Sequence, residues 1–141
     1  MCNHVKLIVA TLLVVLIAET LPAQITDDQV RESLDAGVRF LLSKQQEDGG
    51  WRGEYDTYPT GVTSLCTLAL LNAGMTPEDA EIAAALNYLR KQTELERTYT
   101  VALQTIVLCT AEPEKDLIQI RRNVHWLREA QRKGAGRRSS G

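Results

Sequence analysis

Charge is distributed along this chain in blocks. Residues 57 to 77 carry none and residues 98 to 111 carry none, whereas 27–56, 78–97 and 112–133 are studded with charged side chains. Each neutral stretch has the length and composition of a helix. Between 60 and 74, Val62, Leu65, Cys66, Leu68, Ala69, Leu70, Leu71 and Ala73 go round the whole circumference, and between 98 and 111 Val101, Ala102, Leu103, Ile106, Val107, Leu108 and Cys109 do the same. A helix apolar all round is expected to be covered on every side. Neither stretch spans a bilayer, because each is shorter than about 20 residues and Asn72 or Gln104 interrupts it. The charged segments are amphipathic instead. Val30, Leu34, Val38, Leu41 and Leu42 recur at helical spacing, with Arg31, Glu32, Asp35 and Arg39 on the remaining face. The pattern predicts an all-α chain of alternating layers: outer 27–46, inner 60–74, outer 77–92, inner 98–112, outer 115–132.

Boundary residues agree with this partition. Thr26 with Gln29 three positions on forms a capping box, and Thr76-Pro77-Glu78-Asp79 offers an N-cap, a first-turn proline and acids at a positive helix end. Gly74 stands where a helix C-terminus wants a left-handed residue. The outer segments also share an ending, an aromatic, then Leu, then a basic residue, then Gln, at Phe40 to Gln45, Tyr88 to Gln92 and Trp126 to Gln131. The inner segments align at an offset of 38, which places Leu65 on Leu103, Leu68 on Ile106, Leu70 on Leu108 and Ala73 on Ala111. A period near 40 predicts stacked helical hairpins.

At 141 residues, with 44% hydrophobic and 24% charged side chains, the chain is sized for one domain, and 5% aromatics with four prolines disfavour a many-stranded sandwich. The first 23 residues are set apart from the fold. Lys6 supplies a positive start, 7–18 is a charge-free apolar run, and Leu21-Pro22-Ala23 offers a cleavage position, so an export signal is expected and, with it, a periplasmic or secreted destination. In such a compartment Cys66 and Cys109 could pair, but each lies in a neutral helical stretch, and two buried small hydrophobes are the expectation. The remaining chain is polarised: 24–114 holds 7 basic and 15 acidic side chains, and 115–141 holds 8 basic and 2 acidic. A disordered, solvated basic tail over 132–141 is expected at that end.

One string is more specific. Phe40-Leu41, Gln45, Gly49 and Trp51 together resemble the QW motif of the terpene cyclase and prenyltransferase superfamily, the squalene-hopene and oxidosqualene cyclases and the β-subunits of protein prenyltransferases. The resemblance covers about residues 28–131 and implies part of an α/α toroid of inner and outer helices. It also implies that Gln45 ties helix ends together and that Trp51 covers it. The second repeat keeps Gln92 without the glycine and tryptophan, and the third keeps Gln131. A ring in this family takes about six hairpins, and roughly two and a half are recognisable here, so a divergent or partial member is expected.

The chemistry of that superfamily is not written in these residues. No cluster of aspartates matches the acid motif of the hopene cyclases, and Cys66, Cys109 and His125 lack zinc-ligand spacing. No catalytic residue, cofactor or metal site is assigned. The loop of Asp48, Glu54, Tyr55, Asp56 and Tyr58 around Trp51 is the candidate for ligand recognition, against the plainer reading in which the aromatics cover the hairpin and the acids face water. The expectation is therefore an exported, non-catalytic binding or scaffolding module. Its partner would be an unidentified protein or a hydrophobic small molecule, with self-association, no nucleic acid, and membrane contact only through an uncleaved signal. The alternative is a cyclase-like or prenyltransferase-like enzyme fragment without its catalytic half.

Overall fold

The computed structural model describes residues 25–53, 59–93 and 97–138, with side chains at 59 and 133–138 not described. The signal-like segment 1–23 lies outside them. Five helices occupy the described residues, with no strand among them: α1 Asp27–Lys44, α2 Pro59–Asn72, α3 Ala80–Lys91, α4 Thr98–Ala111 and α5 Leu117–Arg138. The chain is all-α and alternates outer and inner helices. No described helix is long and apolar enough to cross a membrane. From Leu34 onward the described residues form one compact unit, and the first turns of α1, up to Ser33, belong to another.

The two uncharged helices pack on each other, α3 lies against α2, and α5 against α4. The core forms where these layers meet, from Leu70 of α2, Ile82, Ala85, Leu86 and Leu89 of α3, Val107 and Leu108 of α4, and Trp51 from the corner after α1. α1 is bound more loosely than its pattern predicts. It has no buried residue, Val38, Leu41 and Leu42 are half-buried, and Val30 and Leu34 are exposed. Phe40 is 60% exposed, with the Lys44 ammonium 5.6 Å from its ring centroid. The stripe is helical as expected, and its C-terminal turns pack against the core through Val38, Leu41 and Leu42.

Helix ends follow local chemistry. Thr26 and Gln29 exchange the two bonds of a capping box, Thr26 N to Gln29 Oε1 at 3.0 Å and Gln29 N to Thr26 Oγ1 at 3.3 Å. At the end of α2, Gly74 takes φ +100° while Met75 N donates to Leu70 O and Gly74 N to Leu71 O, a Schellman closure. The start of α3 differs from the sequence reading. Asp79, not Thr76, is its N-cap, and the Asp79 carboxylate reaches back to Thr76 N at 2.7 Å, so residues 76–79 form a turn ahead of the helix. At the other end, α5 continues to Arg138 through most of the segment expected as a disordered tail.

Two expectations about the inner layer are corrected. The uncharged helices are not covered on all sides: Leu65 is 47% exposed and Ile106 50%, and Ala69, Cys109 and Thr110 are exposed beside them. Nor is the repeat in register at 38. Leu65 and Ile106 are 41 apart, as are the buried Thr63 and Gln104, and Ser64 and Thr105, whose hydroxyls donate to the carbonyls of Thr60 and Val101, themselves 41 apart. An all-round apolar helix accepts almost any sliding alignment of its leucines. The buried polar residues set the register, because each must find its own partner.

Candidate functional site

The first corner is built around Gln45 and Trp51. The Gln45 amide, one residue past α1, donates to Gly49 O and to Glu81 O, both at 2.9 Å, and so joins the α1 corner to the first turn of α3. Trp51 is 2% exposed, and its indole N–H donates to Leu41 O at 2.8 Å, satisfying a carbonyl in the last turn of α1. Its backbone N–H is held by Thr63 Oγ1 of α2 at 3.0 Å. Gly49 is at φ +87°, and a Cβ there would sit 2.4 Å from Ala84 O of α3. Only glycine allows both the left-handed turn and that approach. Of the motif residues, then, Leu41, Gln45, Gly49 and Trp51 converge on one helix corner, and Phe40 points away from it into solvent.

Asp48, expected in a ligand-binding loop, is committed to this corner. One carboxylate oxygen accepts Gly50 N at 3.0 Å and the other takes the Arg52 guanidinium, which also bonds the Tyr88 hydroxyl and lies over its ring. The Gly50 N–H and the Arg52 charge hold the carboxyl below its usual range. Glu54, Tyr55, Asp56 and Tyr58 lie outside the described residues.

The second corner does the same work with another side chain. Gln104, fully buried in α4, donates to Leu89 O at 2.8 Å and Gln92 O at 3.0 Å at the end of α3, and its Oε1 accepts Asn123 Nδ2 of α5 at 2.7 Å. Leu89 occupies the place in the shared outer ending that Leu41 holds in the first. The carbonyl reached there by an indole is reached here by an amide from the inner helix, which explains how the second hairpin closes without glycine and tryptophan. In the sequence Gln104 stands out only as an interruption of an apolar stretch. A lone amide in an uncharged helix was the available signal, since such a group is expensive to bury unbonded.

Arg90 fastens the connection between α4 and α5. Its guanidinium meets Asp116 through two bonds of 2.8 Å and Glu112 through one of 2.7 Å, and Lys115 also bonds Glu112. These contacts raise the arginine's affinity for its proton and hold the Glu112 carboxyl below its usual range. A shallow concavity of about 420 Å³ is lined by Ala111, Glu112, Pro113, Glu114 and Lys115, and of these Glu112 is already bonded to Arg90 and Lys115. Among the described residues, no group of histidine, cysteine, aspartate and glutamate could hold a metal ion. Cys66 and Cys109 are both free thiols. Cys66 is half-buried, which pushes its thiol pKa up, and Cys109 is exposed, contrary to the expectation that both are buried.

What remains uncommitted is the uncharged wall. α2 presents Leu65 and Ala69, and α4 presents Ile106 and Cys109, at matching or adjacent positions of the 41-residue register on two helices that pack side by side. Leu65 and Ile106 are each left about half exposed. Comparison with protein-family models, with curated proteins and with solved structures finds no match to this chain.

Proposed function

We propose that this chain is an exported, non-catalytic helical-repeat module, of the kind found in prenyltransferase and squalene-cyclase repeats, that binds a long apolar small molecule along the wall of α2 and α4. The wall carries the reading: two half-exposed aliphatic side chains, Leu65 and Ile106, stand on neighbouring helices that themselves contain no charged residue. The polar side chains tell against chemistry, since Gln45, Asp48, Gln104, Arg90 and Asp116 are spent on helix ends and connections.

Displacement of a fluorescent apolar dye by an isoprenoid alcohol or a fatty acid tests this. Leu65 and Ile106 are about half dry already, so covering the rest contributes about 1 kcal/mol apiece. A double L65S/I106S variant should then bind about thirtyfold more weakly. Displacement that does not saturate, or that is the same in the variant, refutes the reading. Turnover of squalene or of an isoprenoid diphosphate above background replaces it with the enzymatic one.

A further inference from the structure

The exposed face of α5 concentrates basic side chains. Arg121, His125, Arg128 and Arg132 follow one another at spacings of four, three and four, so they form a single stripe about 16 Å long. All four are exposed, with Arg122 beside them. Aliphatic side chains flank the stripe and are exposed as well: Ile118 at 86%, Leu117 at 44% and Val124 at 41%. The helix does not need this face to stay in place. Ile120 and Asn123 are buried on its opposite side, and Trp126, Leu127 and Ala130 are half-buried there.

Intramolecular acids leave the stripe largely unneutralised. Glu129 pairs with Arg132 at 2.8 Å, while before the helix Asp116 is held by Arg90 and Glu112 by Arg90 and Lys115, and the exposed Glu114 forms no ion pair with the stripe. Arg121, Arg122 and Arg128 carry no ion pair among the described residues.

We infer that this face of α5 docks on an anionic phospholipid surface, with Arg121 and Arg128 meeting headgroup phosphates and Ile118 and Val124 entering the acyl boundary. Charge complementarity selects an anionic occupant, and the aliphatic flanks select among anionic occupants. A polyphosphate chain rewards the arginines by releasing counterions but does nothing for a bare isoleucine. A membrane interface rewards both, since an interfacial helix binds through buried apolar area and electrostatic attraction together. This contact is separate from an N-terminal signal and from the wall of α2 and α4.

Each arginine near an anionic membrane changes partitioning about fivefold. The test is co-sedimentation of the full chain with vesicles of phosphatidylcholine alone or with a third of phosphatidylserine, at low and high salt. Binding should require phosphatidylserine and weaken with salt. R121Q/R128Q should reduce it about 25-fold and I118S several-fold, with thermal unfolding unchanged in both because the side chains are exposed. Equal binding to both vesicle types assigns the contact to an apolar segment elsewhere and overturns the proposal, as does R121Q/R128Q binding like the parent. Competition by heparin or duplex DNA, together with an unaffected I118S variant, would make the occupant a polyanion instead.

Discussion

Replacing Gln104 by leucine tests whether a buried amide holds the second hairpin together. Leucine fits the space but breaks three hydrogen bonds, two donated to Leu89 O and Gln92 O and one accepted from Asn123 Nδ2. Leu89 O keeps a backbone bond from Gln92 N at 3.1 Å, so its loss is partial. Gln92 O loses its side-chain donor, and Asn123, 5% exposed, loses its acceptor in a dry setting. At about 1 kcal/mol net per bond, with about 1–3 kcal/mol for a buried group left unpaired, the gross loss is about 3–5 kcal/mol. Added apolar burial offsets about 1 kcal/mol, leaving a net destabilisation of about 2–4 kcal/mol. Urea unfolding followed by helical circular dichroism should show the midpoint falling with its slope unchanged. The double variant Q104L/N123L should be no less stable than Q104L alone, because it removes the orphaned amide. A coupling energy of at least about 1 kcal/mol between the two sites is therefore expected. Stability of Q104L within about 0.5 kcal/mol of the parent, or strict additivity in the double variant, would refute the bonding scheme and the equivalence of the two corners drawn from it.

Three further outcomes follow from the same geometry. W51A should lose about 3–5 kcal/mol from the vacated core, and W51F, which keeps a ring but orphans Leu41 O, about 1–2 kcal/mol; thermal unfolding that leaves both unchanged would make the QW-like string incidental. The carboxyl of Glu112 titrates below the usual glutamate value of 4.5, first because Arg90 bonds it and then because Lys115 does. Its contribution is therefore whole above that value and fades as pH falls through the lower folded-state pKa, so E112Q should lose less stability on acidification than the parent; parallel acid-unfolding curves would contradict this. Cys109 should react with a thiol reagent well before Cys66, whose burial suppresses the thiolate; equal rates in C2S/C66S and C2S/C109S variants would place both at the surface.

Much of the fold was legible because it depends on local pattern. The uncharged blocks around Leu70 and Val107 and the amphipathic blocks around Leu34 and Leu86 differ in period and charge, and those differences specify helix and layer without tertiary information. Thr26 with Gln29, and Gly74, are short-range devices whose partners lie within a turn or two. The corner residues Gln45, Gly49 and Trp51 were legible through their spacing, although that spacing could not say that Glu81 O and Leu41 O would accept their bonds, or that Phe40 would stand outside.

What lay beyond the sequence shares one physical cause. The register of Leu65 on Ile106, the bond from Gln104 to the end of α3, the capture of Asp48 by Gly50 and Arg52, and the seating of Arg90 on Asp116 all depend on which groups become neighbours after helices pack. An apolar helix has leucines to offer in every direction, so hydrophobicity drives its burial but leaves its rotation undetermined. The buried amide, with its demand for particular carbonyls, settles the rotation, and the face left over becomes the open wall. Composition along the chain thus determined helices, layers and the basic end, while the three-dimensional placement of a few hydrogen-bonding groups decided which surfaces were closed and which remained exposed.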